Sequence, residues 1–242
     1  MLVVSSVALA DAGPPMILDD PGTPGSNKWE VNVASSTEAN SVGRASEFPL
    51  LDVNYGLGER VELMIEAPYS QTQHFDDGTT HSGFDRFTPG VKCRFLDQET
   101  AGVSMSVFPQ VVSIGPDAKK PGAPAVQQEV FLPINMEEEH GRFAFDQELG
   151  YEAEGLKLAE RNYVLGAATS YHVVEEVLTV IGELHETLPA LKPRDQELLA
   201  NLGAVYVLNK RNSLLVSGGR TLVAHPGEER KSIGYFGVQS HF

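Results

Sequence analysis

The chain has 242 residues, 41% of them apolar, with 23 glycines, 15 prolines, a single cysteine and a net charge of −15. That length suits one large all-β domain or two small ones, and no apolar run approaches the roughly 18–20 residues a membrane-spanning helix needs. The negative charge excludes nucleic acid as a partner and any general attraction to anionic lipid surfaces, and the lone Cys93 excludes an intrachain disulfide, so the fold closes by pairing and packing alone.

The first stretch, MLVVSSVALADAGPP, reads as most of a secretory signal. Its apolar run ends in Ala8-Leu9-Ala10 or Ala10-Asp11-Ala12, both small-x-small cleavage patterns, and Gly13-Pro14-Pro15 then stops any strand or helix. Its basic leading part is missing, which sets the expected start upstream of Met1. Residues 1–12 are assigned to a cleaved signal peptide, 13–27 to an extended Pro/Gly-rich segment, and 28–242 to the folded body. Within the segment, Asp19-Asp20-Pro21 has oxygen ligands suited to calcium but reads more simply as a turn cap.

From Lys28 onward, apolar and polar residues alternate with the period of a strand. Trp29, Val31 and Val33 oppose Glu30 and Asn32; Leu51, Val53 and Tyr55 oppose Asp52 and Asn54; Val61, Leu63 and Ile65 oppose Glu62, Met64 and Glu66. Val91, Cys93 and Phe95 oppose Lys92 and Arg94, which makes Cys93 a small apolar strand residue. Val103, Met105 and Val107 oppose Ser104, Ser106 and Gln110, and Phe143, Phe145, Leu149 and Tyr151 oppose Ala144, Asp146 and Glu148. Leu178, Val180 and Leu184 oppose Thr179, Glu183 and His185. Further strands are expected near 127–136, 162–172, 197–208 and 212–222. The chain ends on SIGYFGVQSHF, where Phe236, Val238, Ser240 and Phe242 share one face. The count is about twelve, even, as single-chain outer-membrane barrels require.

The connections alternate as well. Long polar stretches (35–47, QTQHFDDGTTHSG, IGPDAKKPGAPA, 154–161, LPALKPRD, VAHPGEER) interleave with tight ones (GLGER, DQETAG, EEEHG, VVEE, NKRN). A membrane barrel has short turns at one rim and long loops at the other, and both termini then fall on the short-turn, periplasmic side. Charges on one face of so many strands cannot line a dry sandwich core, because desolvating each costs several kcal/mol. A barrel of this size also leaves an interior too wide to fill with the Val, Leu and Phe present. An all-β, transmembrane, antiparallel up-and-down β-barrel resolves both conflicts: the apolar face meets outer-membrane lipid and the charged face meets a watery lumen.

On that fold Glu30, Asp52, Asn54, Glu62, Glu66, Lys92, Arg94, Asp146, Glu148, Glu183 and His185 are candidate lumen-lining residues. Acids cluster on the first three strands and bases on the fourth, which sets a transverse field that orients polar solutes. The same charges suit a lumen sealed by salt bridges, and the sequence leaves the two open. Phe236, Val238 and the terminal Phe242 form a candidate assembly signal, read by periplasmic chaperones and the barrel-assembly machinery. His74, Asp76, Asp77 and His81 have metal-ligand types but irregular spacing in a Gly/Thr-rich loop, so no metal and no cofactor is expected. Glu137 to Glu139 read as a solvated turn. Ser170 and His172 have the residue types of an outer-membrane lipid-acting hydrolase without a placeable acidic orienter, and no GxSxG, GxGxxG or P-loop occurs. The function expected is a channel for passive or selective uptake of a small solute. The alternatives are a soluble periplasmic ligand-binding barrel and the lipid-acting enzyme.

GPPMILDDPGTPGSNKWEVNVASS at 13–36, LLDVNYGLGERVELMIEAPY at 50–69, PGVKCRFLDQ at 89–98, FPQV at 108–111, NYVLGAATSYHVVEEVLTVIGELHE at 162–186 and LLANLGAVYVLNKRNSLLVSGGRTL carry a resemblance. They resemble a family of bacterial outer-membrane proteins named for the meta-pathway of phenol degradation and labelled transporters. The resemblance covers nearly the whole chain after the signal, its most specific pieces being Pro-Pro…Asp-Asp-Pro and Trp29-Glu30. It implies a β-barrel linked to uptake of small organic, aromatic solutes, with no catalytic motif. Ser240 departs from the aromatic or aliphatic residue common at that place before an outer-membrane terminus.

Overall fold

A computed structural model describes residues 13–76, 78–84, 86–114, 127–154, 161–193, 195–224 and 229–242. The expected signal peptide, Asp77, and the connections 115–126, 155–160 and 225–228 lie outside the described residues. The strands are β1 (Trp29–Ala39), β2 (Gly43–Gly56), β3 (Val61–His74), β4 (Thr80–Gly83), β5 (Arg86–Leu96), β6 (Ser104–Val107) and β7 (Gln110–Ile114). They continue as β8 (Gln127–His140), β9 (Phe143–Glu154), β10 (Arg161–Val174), β11 (Leu178–Pro189), β12 (Glu197–Asn209), β13 (Asn212–Val223) and β14 (Ser232–His241). A single helical turn, α1 (Gln98–Ala101), sits between β5 and β6. β4 runs on into β5, and β6 into β7 past Phe108-Pro109, so these stretches make a closed antiparallel barrel of twelve strands. Pro109 has no N–H to donate to a ladder, which accounts for the second interruption.

Closure is made by the two ends of the barrel. β14 pairs with β1 from Ala39↔Ser232 to Glu30↔His241, and beyond it Trp29 and Phe242 exchange both backbone hydrogen bonds at 3.1 and 2.9 Å. The expected strands all form. The first expected long loop does not: Ser35 to Glu47 lies mostly in β1 and β2, and only residues 40–42 turn. Its polar residues pair across the ribbon, with Ser36 Oγ donating to Glu47 at 2.7 Å and Thr37 in register with Ser46. The sequence looks like a loop because a ribbon standing clear of lipid carries no apolar face. Glu137 to Glu139 likewise end β8 rather than form a turn, since Gly141, at φ 64°, closes the two-residue hairpin with Arg142. Gln98 holds that strand end, exchanging hydrogen bonds with the Glu139 backbone at 2.8 and 3.0 Å.

The usual order of inside and outside is inverted. Asn32, Asn54, Glu62, Lys92, Asn135, Asp146, Glu148, Glu183 and Asn201 are buried, whereas Leu63, Ile65, Leu132, Leu149, Leu184, Leu202 and Phe236 are exposed on the outer surface. Cys93 is exposed on that outer face too, beside Val91 and Phe95. Aromatic pairs sit at both ends: Trp29–Tyr55 and Phe143–Tyr171 near the short turns, Tyr69–Phe84 and Tyr151–Tyr163 near the long connections. From Tyr163 to Tyr171 along β10 the rise, at about 3.3 Å per residue and a tilt near 40°, is roughly 20 Å, close to the apolar band of an outer-membrane barrel. The outer surface is therefore built for lipid.

The outward Leu149, midway along β9 and 55% exposed, tests that assignment. Leu149→Lys should lower stability by about 2–4 kcal/mol in urea unfolding from lipid vesicles. A soluble barrel would lose nothing from a lysine at so exposed a position.

Candidate functional site

The lumen is occupied in part by the chain's own leading segment. Pro14, Pro15, Pro21 and Pro24 keep residues 13–27 out of any ladder, so its remaining amides must find acceptors elsewhere. Met16 donates to the Gly13 carbonyl at 2.8 Å and Gly13 to Leu18 at 3.0 Å, folding the segment into a compact turn. The wall supplies the other partners. Glu183 Oε1 accepts from the backbone amides of Ile17 at 2.9 Å and Leu18 at 2.7 Å, and Glu148 accepts from that of Asp19. The Asp19 carboxylate pairs with Lys92 Nζ at 2.9 Å, and Ser217 Oγ donates to the Pro15 carbonyl at 2.7 Å. Thr23 donates to the Glu59 carbonyl and Asn27 to that of Gly56, anchoring the segment's exit at the short-turn rim.

Shape matches this polar registration. Met16 and Leu18 pack into a buried cluster with Ala168, Ile181, Val205 and Leu215, flanked by Tyr235. Glycines open the room for them. A Cβ on Gly203 would lie 2.1 Å from Met16 Cε and 3.2 Å from Pro15 Cγ, and one on Gly166 would lie 3.0 Å from Leu18 Cβ. The segment is thus held on the β9–β13 wall by apolar contact and by carboxylates that accept its amides.

Opposite it, on the β1–β3 and β5–β8 wall, a cavity of about 1600 Å³ remains. Its lining runs from Arg60, Glu99, Glu175 and Lys210 at the short-turn rim to Glu66, Gln110 and Phe131 farther in. Glu30, Asp52, Asn54, Glu62, Glu66, Lys92, Arg94 and Glu148 all border it. Lys92 stands 3.9 Å from Glu62 and 4.9 Å from the centroid of the Phe108 ring. Glu66 pairs with Arg86 at 2.8 Å, and Arg86 also reaches Glu47 at 3.2 Å. Arg94 turns toward the rim, to Asp97 at 2.9 Å and the Glu59 carbonyl. Asp52 accepts hydrogen bonds from the Asn32 and Asn54 amides, and Glu30 lies 3.8 Å from His241.

The candidate residues thus divide. Glu148 and Glu183 hold the leading segment, with Asn201 Nδ2 donating to Glu183 at 3.0 Å. Asp146 is buried on the same wall and His185 is half-buried two residues along from Glu183. Phe236 and Phe242 face outward at 56% and 66% exposure, while Val238 is partly covered. Asp20 caps a turn as read from sequence, accepting from the Gly22 amide two residues on, and it does so inside the lumen, where it is 4% exposed and Asp19 meets Lys92. Met16, Leu18 and Arg86 escaped the sequence reading, because neither a Pro/Gly-rich segment nor a residue beside a polar connection carries a period from which its facing can be read. Ser170 and His172 point inward, away from lipid: Ser170 is fully buried and His172 Nδ1 is 2.9 Å from Thr179 Oγ1. Among the described residues no three His, Cys, Asp or Glu side chains are grouped to hold a metal ion. The His74 and His81 rings are 6.4 Å apart, and Asp77 lies outside the described residues.

Removing the Glu183 carboxylate leaves two amides without acceptors, a loss of roughly 2–3 kcal/mol of segment binding. A spin label at Ile17→Cys, in a Cys93→Ser background, should be immobile with Glu183 intact and gain a mobile component in Glu183→Ala. The heat-modifiable gel mobility of the barrel should be unchanged.

No protein-family model matches the chain, and no curated protein matches it. Solved structures do. An outer-membrane channel from Pseudomonas putida F1 superposes with a TM-score of 0.67 at 15% identity, covering 97% of this chain and 100% of that one. The KdgM porin, in complex with disordered oligogalacturonate, gives 0.60 at 11% identity over 88% and 99%. The NanC porin gives 0.55 at 9% over 87% and 98%. At such identities the likeness is one of fold, and the fold is that of the twelve-stranded outer-membrane barrel.

Proposed function

We propose that the protein is an outer-membrane channel through which small organic solutes pass by diffusion. The observation that carries this reading is the charged cavity of about 1600 Å³ that opens among the short turns and continues beside the leading segment. A barrel stabilised for its own sake would fill that space with side chains. The barrel neighbours that are channels and porins support the same reading. With the short turns and both termini in the periplasm, the leading segment enters from the periplasmic side and narrows the lumen to the acidic wall. The resemblance of residues 13–36, 50–69 and 162–186 to the phenol meta-pathway family supports an aromatic solute, and Phe108, Phe131 and Met64 supply apolar surface for one among the charges.

Acids outnumber bases along the cavity, so a water path there favours cations. In planar bilayers under a KCl gradient the reversal potential should report cation selectivity, and Glu62→Gln with Glu66→Gln should shift it toward anions. An unchanged reversal potential would remove those two carboxylates from the water path.

A further inference from the structure

The leading segment folds its own beginning into the acidic part of the lumen. Gly13 is buried, and it borders the cavity together with Asp19, Asp20, Glu30, Glu62 and Lys92. Its backbone N–H donates to the Leu18 carbonyl at 3.0 Å. A Cβ on Gly13 would lie 3.5 Å from Asp19 Oδ1 and 3.5 Å from Asp20 Oδ2. The Gly13 nitrogen is two bonds from that position, so by standard bond lengths it stands within about 6 Å of both carboxylates. Pro14 and Pro15 follow, and neither has an N–H to offer them.

Asp19 is well supplied, its Oδ1 accepting from Lys92 Nζ at 2.9 Å and from the Asp20 amide at 2.8 Å. Asp20 is not. It is 4% exposed, its Oδ1 accepts from the Gly22 amide, and its Oδ2, the oxygen turned toward Gly13, receives no hydrogen bond among the described residues. Positive charge is short as well. Asp20 and Glu62 each lie within Coulomb range of Asp19, Glu30 and Lys92, so four carboxylates gather around one lysine, with His241 3.8 Å from Glu30. A buried carboxylate in that company is costly without a further cation. The chain itself contains one. As an amide the Gly13 nitrogen has a single N–H, already given to Leu18; as a free α-amine it carries a positive charge and three N–H bonds. The sequence supplies the means of freeing it. Ala10-Asp11-Ala12 is a small-x-small pattern, after which the endopeptidases that remove secretory signals cut. A cut after Ala8-Leu9-Ala10 would instead set the ammonium two residues farther off and add the Asp11 carboxylate.

We infer that the chain is cut between Ala12 and Gly13, and that the α-ammonium of Gly13 is a built-in cation of the lumen, paired with Asp20 and Asp19. The cut is a hydrolysis: the oxygen of one water stays with Ala12 as its carboxylate, and its two hydrogens go to the Gly13 nitrogen as it becomes an ammonium. One N–H keeps the Leu18 carbonyl and the others turn to Asp20 Oδ2 and Asp19. The pairing ties the free end of the segment to its own middle, which keeps Met16 and Leu18 seated on the β9–β13 wall. It is independent of whether solutes pass beside it.

The experiment starts from the protein expressed with its whole leader and extracted from the outer membrane. N-terminal sequencing should read Gly-Pro-Pro-Met; a chain that starts at Asp11, or that keeps its leader, overturns the assignment. The pairing is tested by acetylation with succinimidyl acetate at neutral pH, read by mass on the N-terminal peptide. An ammonium held by carboxylates is a poor nucleophile, so Gly13 should react at least about tenfold more slowly in the folded barrel than in heat-unfolded protein. Asp20→Asn should restore roughly tenfold of that rate. Equal rates in folded and unfolded protein overturn the pairing on the unsubstituted chain alone, whether or not Asp20→Asn folds. Where that variant retains its heat-modifiable mobility, an unchanged slow rate overturns it as well, because burial without an ion pair would then account for the protection.

Discussion

Everything in this molecule follows from the pairing of Trp29 with Phe242. A backbone N–H facing hydrocarbon without a partner costs several kcal/mol, so a sheet that crosses a membrane must close on itself. Here the closing seam joins the first and last strands, and the last two hydrogen bonds involve the final residue. A chain with a sheet closed this way can turn its apolar residues outward, because lipid has replaced the core as the apolar phase. The inside is then free to be polar.

A polar inside creates a second problem, since twelve strands enclose more space than their side chains fill. The leading segment answers part of it. Its prolines stop it joining the wall as a strand, leaving amides at Ile17, Leu18 and Asp19 in need of acceptors. Glu183 and Glu148 provide them from the wall, and Lys92 meets the Asp19 carboxylate. Buried carboxylates that would otherwise repel one another are each given donors. The same contacts fix where the segment lies, so the free lumen is displaced to one side. The chemistry of the free lumen is consequently that of one wall, the acidic one of β1 to β3, rather than of the whole circumference.

Much of this architecture was legible in the alternation of residues. Glu62 against Leu63, or Glu183 against Leu184, has one explanation when repeated on so many strands; Glu30, Asp52, Asn54, Glu62, Glu66, Lys92, Arg94 and Glu148 border the cavity, and Glu148 and Glu183 meet the segment. Reading failed where period two is absent or misleading. Ser35 to Glu47 looked like a loop because a ribbon outside lipid has no apolar face to reveal it, and Glu137 to Glu139 looked like a turn because charge runs are common there. In the segment itself, Met16 and Leu18 have no local pattern that distinguishes an anchored apolar pair from a spacer.

The sequence by itself determined the strands and the facing of their side chains, and hence the barrel, because each depends only on residues near one another in the chain. Which charges meet was decided by the tertiary structure alone. Lys92 finds Asp19, and Glu183 finds Ile17 and Leu18, across separations of many strands, and nothing local specifies those distances. Glu148 and Glu183 gain their donors only once the closed wall and the folded segment are set against each other, since satisfaction of a buried polar group is a property of its whole surroundings.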